Sequence, residues 1–224
     1  MQRFADIVLS VMALILLSPF LLPLLLILRL TGEGEIFYLQ ERCGRNGLRF
    51  QVLKFATMLK NSPQIMTGSL TIDNDPRVLP VGKFLRKTKI NELPQLWNVL
   101  RGDMSIIGPR PLTPEVFLAY SHEVQDQLNR LRPGISGIGS VVFRDEEGVL
   151  GNQDSPQEFY RTVIAPFKAR LEIWYYQNAN FITYAGLIFL TIWVVVYPRS
   201  QLVWRWFPDL PQPPEELRRY WEKT

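Results

Sequence analysis

The sequence has few of the side chains that build disulfide frameworks and zinc sites. Its 224 residues include one cysteine, Cys43, and one histidine, His122. A single cysteine cannot form an intramolecular disulfide, which excludes the disulfide-stapled secreted class, and a single histidine excludes multi-histidine zinc sites. Glycine-rich phosphate loops, Cys-x-x-Cys pairs and dinucleotide fingerprints are also absent from the sequence. Any chemistry therefore has to come from other residues.

Charge is moderate in amount and unevenly distributed. The formal net charge is +4, with 47% hydrophobic and 21% charged residues, which excludes a disordered or low-complexity chain. Residues 29–110 carry 13 Lys and Arg against 7 Asp and Glu. This basic segment indicates binding to anionic lipid head groups, to phosphorylated substrates or to both. The alternative is a basic face exposed to solvent. No nucleic-acid partner is expected, because the excess charge is small and no binding module is recognised.

Two apolar stretches interrupt the charge pattern. The first, Ile7–Leu28, has 22 uncharged residues and would be roughly 33 Å long as a helix, enough to cross a membrane core of ~30 Å. Ser18-Pro19 predicts a break at its middle, and basic residues flank both ends, which favours a re-entrant helix over a kinked transmembrane helix. The second stretch, Phe181–Tyr197, is short for a span and indicates either a helix in the head-group plane or a buried core helix.

The remaining pattern predicts short alternating elements. The Asn46-Gly47 pair predicts a hairpin turn, and prolines and glycines delimit several helices. The predicted elements are a second hairpin strand over Leu48–Leu53, helical spacing over Lys83–Leu100 interrupted at Pro94, a helix over Val116–Leu131, loop and strand over Gly134–Phe143, and a helix over Phe167–Asn178. The Trp- and Pro-rich tail from Pro198 is interpreted as an extension outside the core.

The densest cluster of chemically useful residues lies between Lys83 and Leu112. A basic helix leads to Glu92, and Arg110 stands between two prolines after a Gly-Asp-Met-Ser turn. An arginine on a proline-restricted backbone suits bidentate contact with phosphate oxygens, since less order is lost on binding. A carboxylate beside fixed arginines suits a metal-bridged diphosphate. The alternative is a surface turn whose arginine pairs with an acid.

The same stretch resembles the signature of a known enzyme family. Asn-Glu-Leu-Pro-Gln-Leu at 91–96, Gly-Asp-Met-Ser at 102–105 and Gly-Pro-Arg-Pro at 108–111 are similar to motifs of the bacterial sugar transferases, the monotopic polyprenyl-phosphate phosphoglycosyl transferases. The resemblance implies an α/β fold, a small membrane-associated catalytic domain with an N-terminal re-entrant helix and amphipathic interfacial helices. The expected parts are a membrane helix at 1–31, a catalytic domain at 32–199 and an extension at 200–224.

The family resemblance also implies a reaction. It is the transfer of a sugar phosphate from a UDP-sugar to undecaprenyl phosphate, which yields UMP and a polyprenyl-diphosphate-linked sugar and initiates surface glycan assembly. The implied cofactor is Mg²⁺, and the implied location is the cytoplasmic face of the bacterial inner membrane, against its phospholipid. The sequence does not identify the sugar. The oligomeric state stays open, with a homodimer held by the Trp-rich tail as one alternative.

One departure from the family pattern affects the chemistry. The family's nucleophile is the aspartate of an Asp-Glu dyad, and that position is Asn91 here, while the glutamate is kept as Glu92. A neutral amide is a far weaker nucleophile than a carboxylate. Glu92 could still bind Mg²⁺ or orient a nucleophile. Three explanations follow: Glu92 takes over as nucleophile, the lipid phosphate attacks directly without a covalent intermediate, or the chain is an inactive or modified form. The last explanation supports a second function, that of a non-catalytic relative that binds UDP-sugar or polyprenyl phosphate and regulates or scaffolds the pathway.

The resemblance further implies phosphate-binding residues. Arg144 resembles the family's diphosphate-contacting arginine, and each candidate has an ion-pair role as its alternative. The next candidates are Arg110, Arg132, Arg77 and Lys54. Two acids after Arg144, Asp145 and Glu146, would either restore negative charge near the metal or form an exposed acidic turn.

Overall fold

The computed structural model describes residues 1–64, 75–118, 120, 122–198 and 200–222. This part of the chain is a mixed α/β structure in which helices surround two small sheets, as the expected fold class requires. The strands are β1 (Phe37–Cys43), β2 (Arg49–Phe55), β3 (Ser105–Ile107) and β4 (Gly134–Ser136). The helices are α1 (Gln2–Leu30), α2 (Pro80–Thr88), α3 (Gln95–Arg101), α4 (Pro114–Leu118), α5 (His122–Arg130), α6 (Ile138–Val142), α7 (Glu146–Gly151), α8 (Pro156–Phe159), α9 (Ala165–Gln177), α10 (Phe181–Val196), α11 (Leu202–Trp206) and α12 (Glu215–Glu222).

The predicted break at Ser18-Pro19 is not present, because helix α1 runs without interruption through both of its prolines. Pro19 has no backbone N–H to donate to the carbonyl of Ile15, and Ser18 Oγ donates a 2.8 Å hydrogen bond to that carbonyl instead. The helical hydrogen bonding lost at Pro19 is thus partly replaced within the same turn. By length and composition, α1 is the helix in the described part of the chain that could cross a membrane.

Both ends of α1 pack against the same body. At its start, the guanidinium of Arg3 donates to the carbonyls of Val99 and Leu100 at the end of α3. Near its end, Leu28 is buried in a cluster with Phe55 of β2 and Leu85 of α2. Between these two attachments, most apolar side chains of α1 face outward.

The predicted hairpin is confirmed. Strands β1 and β2 pair antiparallel, and Asn46 and Gly47 in the turn adopt positive φ values of 59° and 71°. Asparagine and glycine tolerate this left-handed backbone, which explains why the pair marks the turn. The second strand begins one residue later than predicted and continues to Phe55, which brings Lys54 into the sheet.

The parallel pair β3–β4 organises the second half of the body. Ser105 is in register with Gly134, and Ile107 with Ser136. The expectation of loop and strand up to Phe143 is wrong beyond Ser136, because α6 begins at Ile138. Ile138 and Val141 are both buried, and their spacing of three residues places them on one helical face. Burial against α9 and α10 therefore overrides the strand preference of this β-branched run.

The interpretation of the C-terminal tail as an extension outside the core is also wrong. Val203, Leu210 and Leu217 are buried in the largest hydrophobic cluster. The ring of Trp204 stacks on Phe167 at 6.5 Å between ring centroids. This burial supplies more apolar contact than a loosely attached strap would, so residues 200–222 belong to the folded body.

Helix α10 combines the two alternatives predicted for its stretch. Tyr184, Leu187 and Leu190 are buried in the core, whereas Ile182 and Ile192 on the opposite side are exposed. One face is therefore a core helix, and the other presents an apolar surface that a head-group region would accept.

Candidate active site

A cavity of about 1650 Å³ collects most of the predicted site residues. It lies where loops follow the carboxyl ends of the parallel strands β3 and β4, the usual position of ligands in such sheets. Lys54 of β2, Asn91, Glu92, Arg110 and Arg144 all line it.

The backbone around Glu92 explains how this residue reaches the cavity. Helix α2 ends at Lys89, which adopts a left-handed conformation with φ of 62° and donates its N–H to the carbonyl of Arg86. The chain then forms one 3₁₀ turn over Ile90–Glu92, and Pro94 precedes the first residue of α3. The predicted interruption of this helical region is therefore confirmed, but it begins at Lys89 and places Glu92 at the bend.

Glu92 is an ionised carboxylate held among cations. Its Oε1 lies 3.6 Å from Nη2 of Arg110, an ion pair longer than a normal hydrogen bond. Burial raises the pKa of Glu92, but the positive charges of Arg110, Lys54, Lys89 and Arg86 outweigh that effect and bring the pKa down to about 2. Glu92 in turn raises the pKa of Arg110. The carboxylate is thus available as a nucleophile or a metal ligand at any physiological pH.

The ammonium group of Lys54 is buried beside Glu92. Burial lowers the pKa of its ammonium group to about 7, because the attraction of Glu92 only partly offsets desolvation and the repulsion from Arg110 and Arg42. A bound phosphate would supply the missing negative charge and restore full protonation. Lys54 is therefore suited to contact an anionic ligand.

Asn91 has an unsatisfied acceptor at the cavity. The residue is 6% exposed, and its Oδ1 accepts no hydrogen bond from any residue that the structure describes. A buried acceptor without a donor is costly. The amide oxygen next to Glu92 is thus suited to accept a ligand group or to coordinate a cation.

The opposite wall of the cavity comes from the segment after α6. Nη2 of Arg144 donates a 2.8 Å hydrogen bond to the carbonyl of Lys87, which ties this wall to the end of α2. Glu146 lies in the same wall and pairs with Lys168 of α9 at 2.7 Å. Between the two alternatives for these acids, Glu146 is an internal ion-pair partner near Arg110 rather than part of an exposed acidic turn.

Two predicted phosphate-binding residues do not line this cavity. Arg77 is 1% exposed and forms a 2.5 Å ion pair with Asp75, and it also donates to the carbonyl of Ser62. Partial burial lowers the pKa of Arg132, and the positive charges of Arg3 and Arg45 lower it further. The phosphate-binding roles of Arg77 and Arg132 stay predictions that this geometry does not favour.

Further charged residues line the cavity without having been assigned a role from sequence. Burial lowers the pKa of Arg42 to about 10, and its Nη1 donates to the carbonyl of Pro111. Lys168 and Glu172 stand four residues apart on α9, one above the other. For Lys168 and Glu172, their four-residue spacing on the helix predicted over Phe167–Asn178 was a usable sequence signal.

Comparison of the sequence with known protein families identifies the family of the chain. The bacterial sugar transferase family model matches residues 1–198. The chain belongs to the bacterial sugar transferase family. The predicted resemblance is thereby confirmed, and with it the class of enzyme.

Several relatives of this sugar transferase have descriptive names. The exopolysaccharide production protein ExoY of Sinorhizobium fredii is 35% identical over 159 residues, covering 65% of this chain and 70% of the relative. The UDP-galactose-lipid carrier transferase of Erwinia amylovora is 32% identical over 210 residues, covering 88% of this chain and 40% of the relative. The UDP-N-acetylgalactosamine-undecaprenyl-phosphate N-acetylgalactosaminephosphotransferase of Aeromonas hydrophila is 41% identical over 143 residues, covering 63% of this chain and 34% of the relative. The chain thus spans well under half the length of the last two.

The cavity of this sugar transferase fits the magnesium ion that the family implies. Within the described residues, no three His, Cys, Asp or Glu side chains form a metal cluster. Mg²⁺ needs fewer protein ligands when it binds with phosphates, since one or two carboxylates plus phosphate oxygens and water complete its octahedron. Glu92 and the unsatisfied Oδ1 of Asn91 supply such a partial set.

Proposed function

We propose that the chain transfers a sugar phosphate from a UDP-sugar to undecaprenyl phosphate, releasing UMP. One observation carries this proposal: the cavity joins a cationic end to an apolar end. Lys54 and Arg110 lie beside Glu92 at the first, which Arg144 also lines, and side chains of α1 and α10 form the second. The apolar residues are Leu9, Ala13, Ile188, Ile192 and Val195.

This polarity matches the two substrates of such a reaction. A diphosphate needs several cationic contacts, which Arg110, Arg144 and Lys54 provide. A lipid phosphate needs an anion site next to an apolar path to the membrane, and Leu9, Ile192 and Val195 at the apolar end are also partly exposed on the outer surface. Both phosphates can therefore meet near Glu92.

Glu92 supports two routes for the transfer. In the first, a carboxylate oxygen of Glu92 attacks the phosphorus attached to the sugar, the bond to UMP breaks, and the lipid phosphate oxygen then displaces the carboxylate. In the second, the lipid phosphate oxygen attacks that phosphorus directly while Glu92 orients the diphosphate. Magnesium held by Glu92 and Asn91 would supply charge neutralisation of the diphosphate in either route. Arg110 and Arg144 bind and orient the phosphoryl oxygens.

We also propose that the protein lies at the cytoplasmic face of the bacterial inner membrane with α1 re-entrant. The support is that both ends of α1 pack against one body, through Arg3 at the start and Leu28 at the end. Pro19 and Ser18 stand in the middle of α1, where a bend would turn the helix back.

A single assay separates this function from its alternative. Purified protein is incubated with undecaprenyl phosphate, Mg²⁺ and radiolabelled UDP-glucose, UDP-galactose or UDP-N-acetylgalactosamine, and the label that enters the organic phase is counted. Organic-phase label with equal release of UMP supports the transferase. Asn91 favours the alternative of a non-catalytic relative, which predicts binding of UDP-sugar without organic-phase label.

A further inference from the structure

Glu172 is a buried carboxyl group that the proposed reaction does not use. It lies on α9, is 8% exposed, and lines the cavity wall. The backbone N–H groups of Arg110 and Gly139 lie close enough to its carboxyl group to favour the ionised form. One N–H belongs to the loop after β3 and the other to the start of α6 after β4, so a single carboxyl group lies between the two segments that form the site.

Glycine at position 139 makes this approach possible. A Cβ atom on Gly139 would lie 2.7 Å from Oε1 of Glu172, closer than nonbonded atoms come. Because the obstructing atom is the end of a flexible side chain, a larger residue at 139 would displace the carboxyl group rather than the backbone. The close contact of Glu172 with α6 thus depends on the absence of a side chain at Gly139.

The surroundings of Glu172 oppose a negative charge. Its Oε2 is buried and receives no hydrogen bond from the residues that the structure describes. Burial raises the pKa of the carboxyl group to about 8, although Lys168 and Arg110 act in the opposite direction. The other titratable groups near it are the phenols of Tyr120 and Tyr175.

We propose that Glu172 acts in its neutral form as a positioning residue, which holds the Arg110 loop and α6 in place and leaves the Arg110 guanidinium to the substrate phosphates. The proposal rests on the proposed function, because it assigns Arg110 to phosphate binding. An ionised Glu172 would attract the side chains of Arg110 and Lys168 and would compete with phosphate for Arg110. The site is therefore active while Glu172 keeps its proton and loses activity as that proton leaves.

The test compares Glu172→Gln with Glu172→Ala and with Glu158→Gln, the same change at an exposed position on α8. Glutamine keeps a neutral side chain of the same shape, so kcat/KM of Glu172→Gln at pH 7 should stay within about twofold of the parent. Glu172→Ala removes the contact of the carboxyl group with the Arg110 loop and α6, so kcat/KM should fall by about 10–100-fold. Lys54 loses its proton in all of these proteins, so activity should fall with rising pH in each of them. In the parent and in Glu158→Gln, the loss of activity above pH 8 should involve one additional proton, that of Glu172, which Glu172→Gln lacks.

A second measurement reports the protonation state without using activity. The carboxyl group titrates near its ordinary value in the unfolded chain and near 8 in the folded one, so the parent loses stability as the pH rises from about 5 to 8. The melting temperature of Glu172→Gln relative to the parent should therefore increase over that interval and then level off. Gly139→Ala, which keeps the carboxyl group but displaces it, should lower kcat/KM like Glu172→Ala.

Two results would overturn the inference. One is a Glu172→Gln pH profile that superimposes on the parent profile; the other is a melting-temperature difference that does not change with pH. If the parent itself forms no product while the melting-temperature difference between Glu172→Gln and the parent still increases from pH 5 to 8, the proposed function fails and the neutral state of Glu172 stands.

Discussion

The phenol of Tyr184 donates a 2.8 Å hydrogen bond to Oδ1 of Asp6, joining two residues 178 positions apart in the chain. Asp6 lies near the start of α1 and is 1% exposed, and Tyr184 lies on the buried face of α10. The hydroxyl of Ser105 and the backbone N–H of Ile106 donate to the same carboxyl group. One side chain thus attaches both apolar helices to strand β3, beside the loop that carries Arg110.

We expect Asp6→Ala to destabilise the protein more than the loss of one hydrogen bond would. Three buried donors would lose their acceptor, at a cost of about 2–4 kcal/mol in the free energy of unfolding. Tyr184→Phe removes one donor and should cost about 1–2 kcal/mol. Thermal unfolding of purified protein in detergent measures both, with Tyr197→Phe at an exposed position of the same segment as the control. Equal effects of the Asp6 and control variants would show that this network does not hold α1.

The attachment of both ends of α1 predicts a membrane topology. In a Cys43→Ser background, single cysteines at Gln2 and Glu33 should react with a membrane-impermeant maleimide from the same side as a cysteine at exposed Asp154 on the body. Intact and permeabilised spheroplasts distinguish the sides, and the expected side is cytoplasmic. Labelling of Gln2 and Glu33 from opposite sides would mean that α1 spans the membrane.

The two arginines of the cavity should govern UDP-sugar affinity. Arg110→Ala and Arg144→Ala each remove a charged phosphate contact, which should weaken binding by about 2–3 kcal/mol, or roughly 30- to 150-fold in Kd. Arg101→Ala, on the exposed end of α3 and outside the cavity, serves as the matched control. Isothermal titration with UDP-sugar measures all three. Parent-like binding by Arg144→Ala would remove that residue from the diphosphate site.

Lys54 predicts a pH dependence of binding. Its pKa of about 7 means that, before a ligand binds, Lys54 is mostly a charged ammonium group below pH 7 and mostly a neutral amine above it. Binding a phosphate favours the protonated form, so the affinity for UDP-sugar should fall as the pH rises from 6 to 8.5. Lys54→Arg keeps its charge throughout and should give a flatter profile in the same titration. Identical slopes for the two proteins would contradict the assignment.

Local signals explain which parts of the site could be predicted from sequence. Glu92 and Arg110 lie in motifs where proline and the Lys89 turn fix the backbone, so their proximity follows from a short stretch of chain. The phosphate-binding role of Arg77 stays a prediction, and its ion-pair partner, Asp75, stands only two residues away in the sequence. An acid at that spacing competes with any phosphate for the arginine. The sequence around Arg77 therefore already indicated the alternative role of an ion-pair partner.

The longer-range features had no such local signal. Trp221 packs edge-on against Phe143 with 5.8 Å between ring centroids, a contact between residues 78 positions apart in the sequence. A tail rich in proline shows no helical period, so its burial could not be inferred from spacing. Lys54 likewise reaches Glu92 only because the hairpin packs against the 3₁₀ turn at Ile90–Glu92.

The altered dyad gives the sharpest prediction about chemistry. We expect Glu92→Gln to lower kcat by at least about 10²-fold, because it removes the ionised carboxylate at the centre of the cation cluster while keeping its shape. Asn91→Asp should preserve or raise kcat, since it rebuilds the family's acidic pair. Glu115→Gln, an exposed change of the same kind on α4, is the control.

Intact mass spectrometry after incubation with UDP-sugar alone then separates the two routes: a sugar-phosphate adduct on Glu92 identifies it as the nucleophile, and full turnover without an adduct identifies direct attack by the lipid phosphate. Normal turnover by Glu92→Gln would contradict both routes.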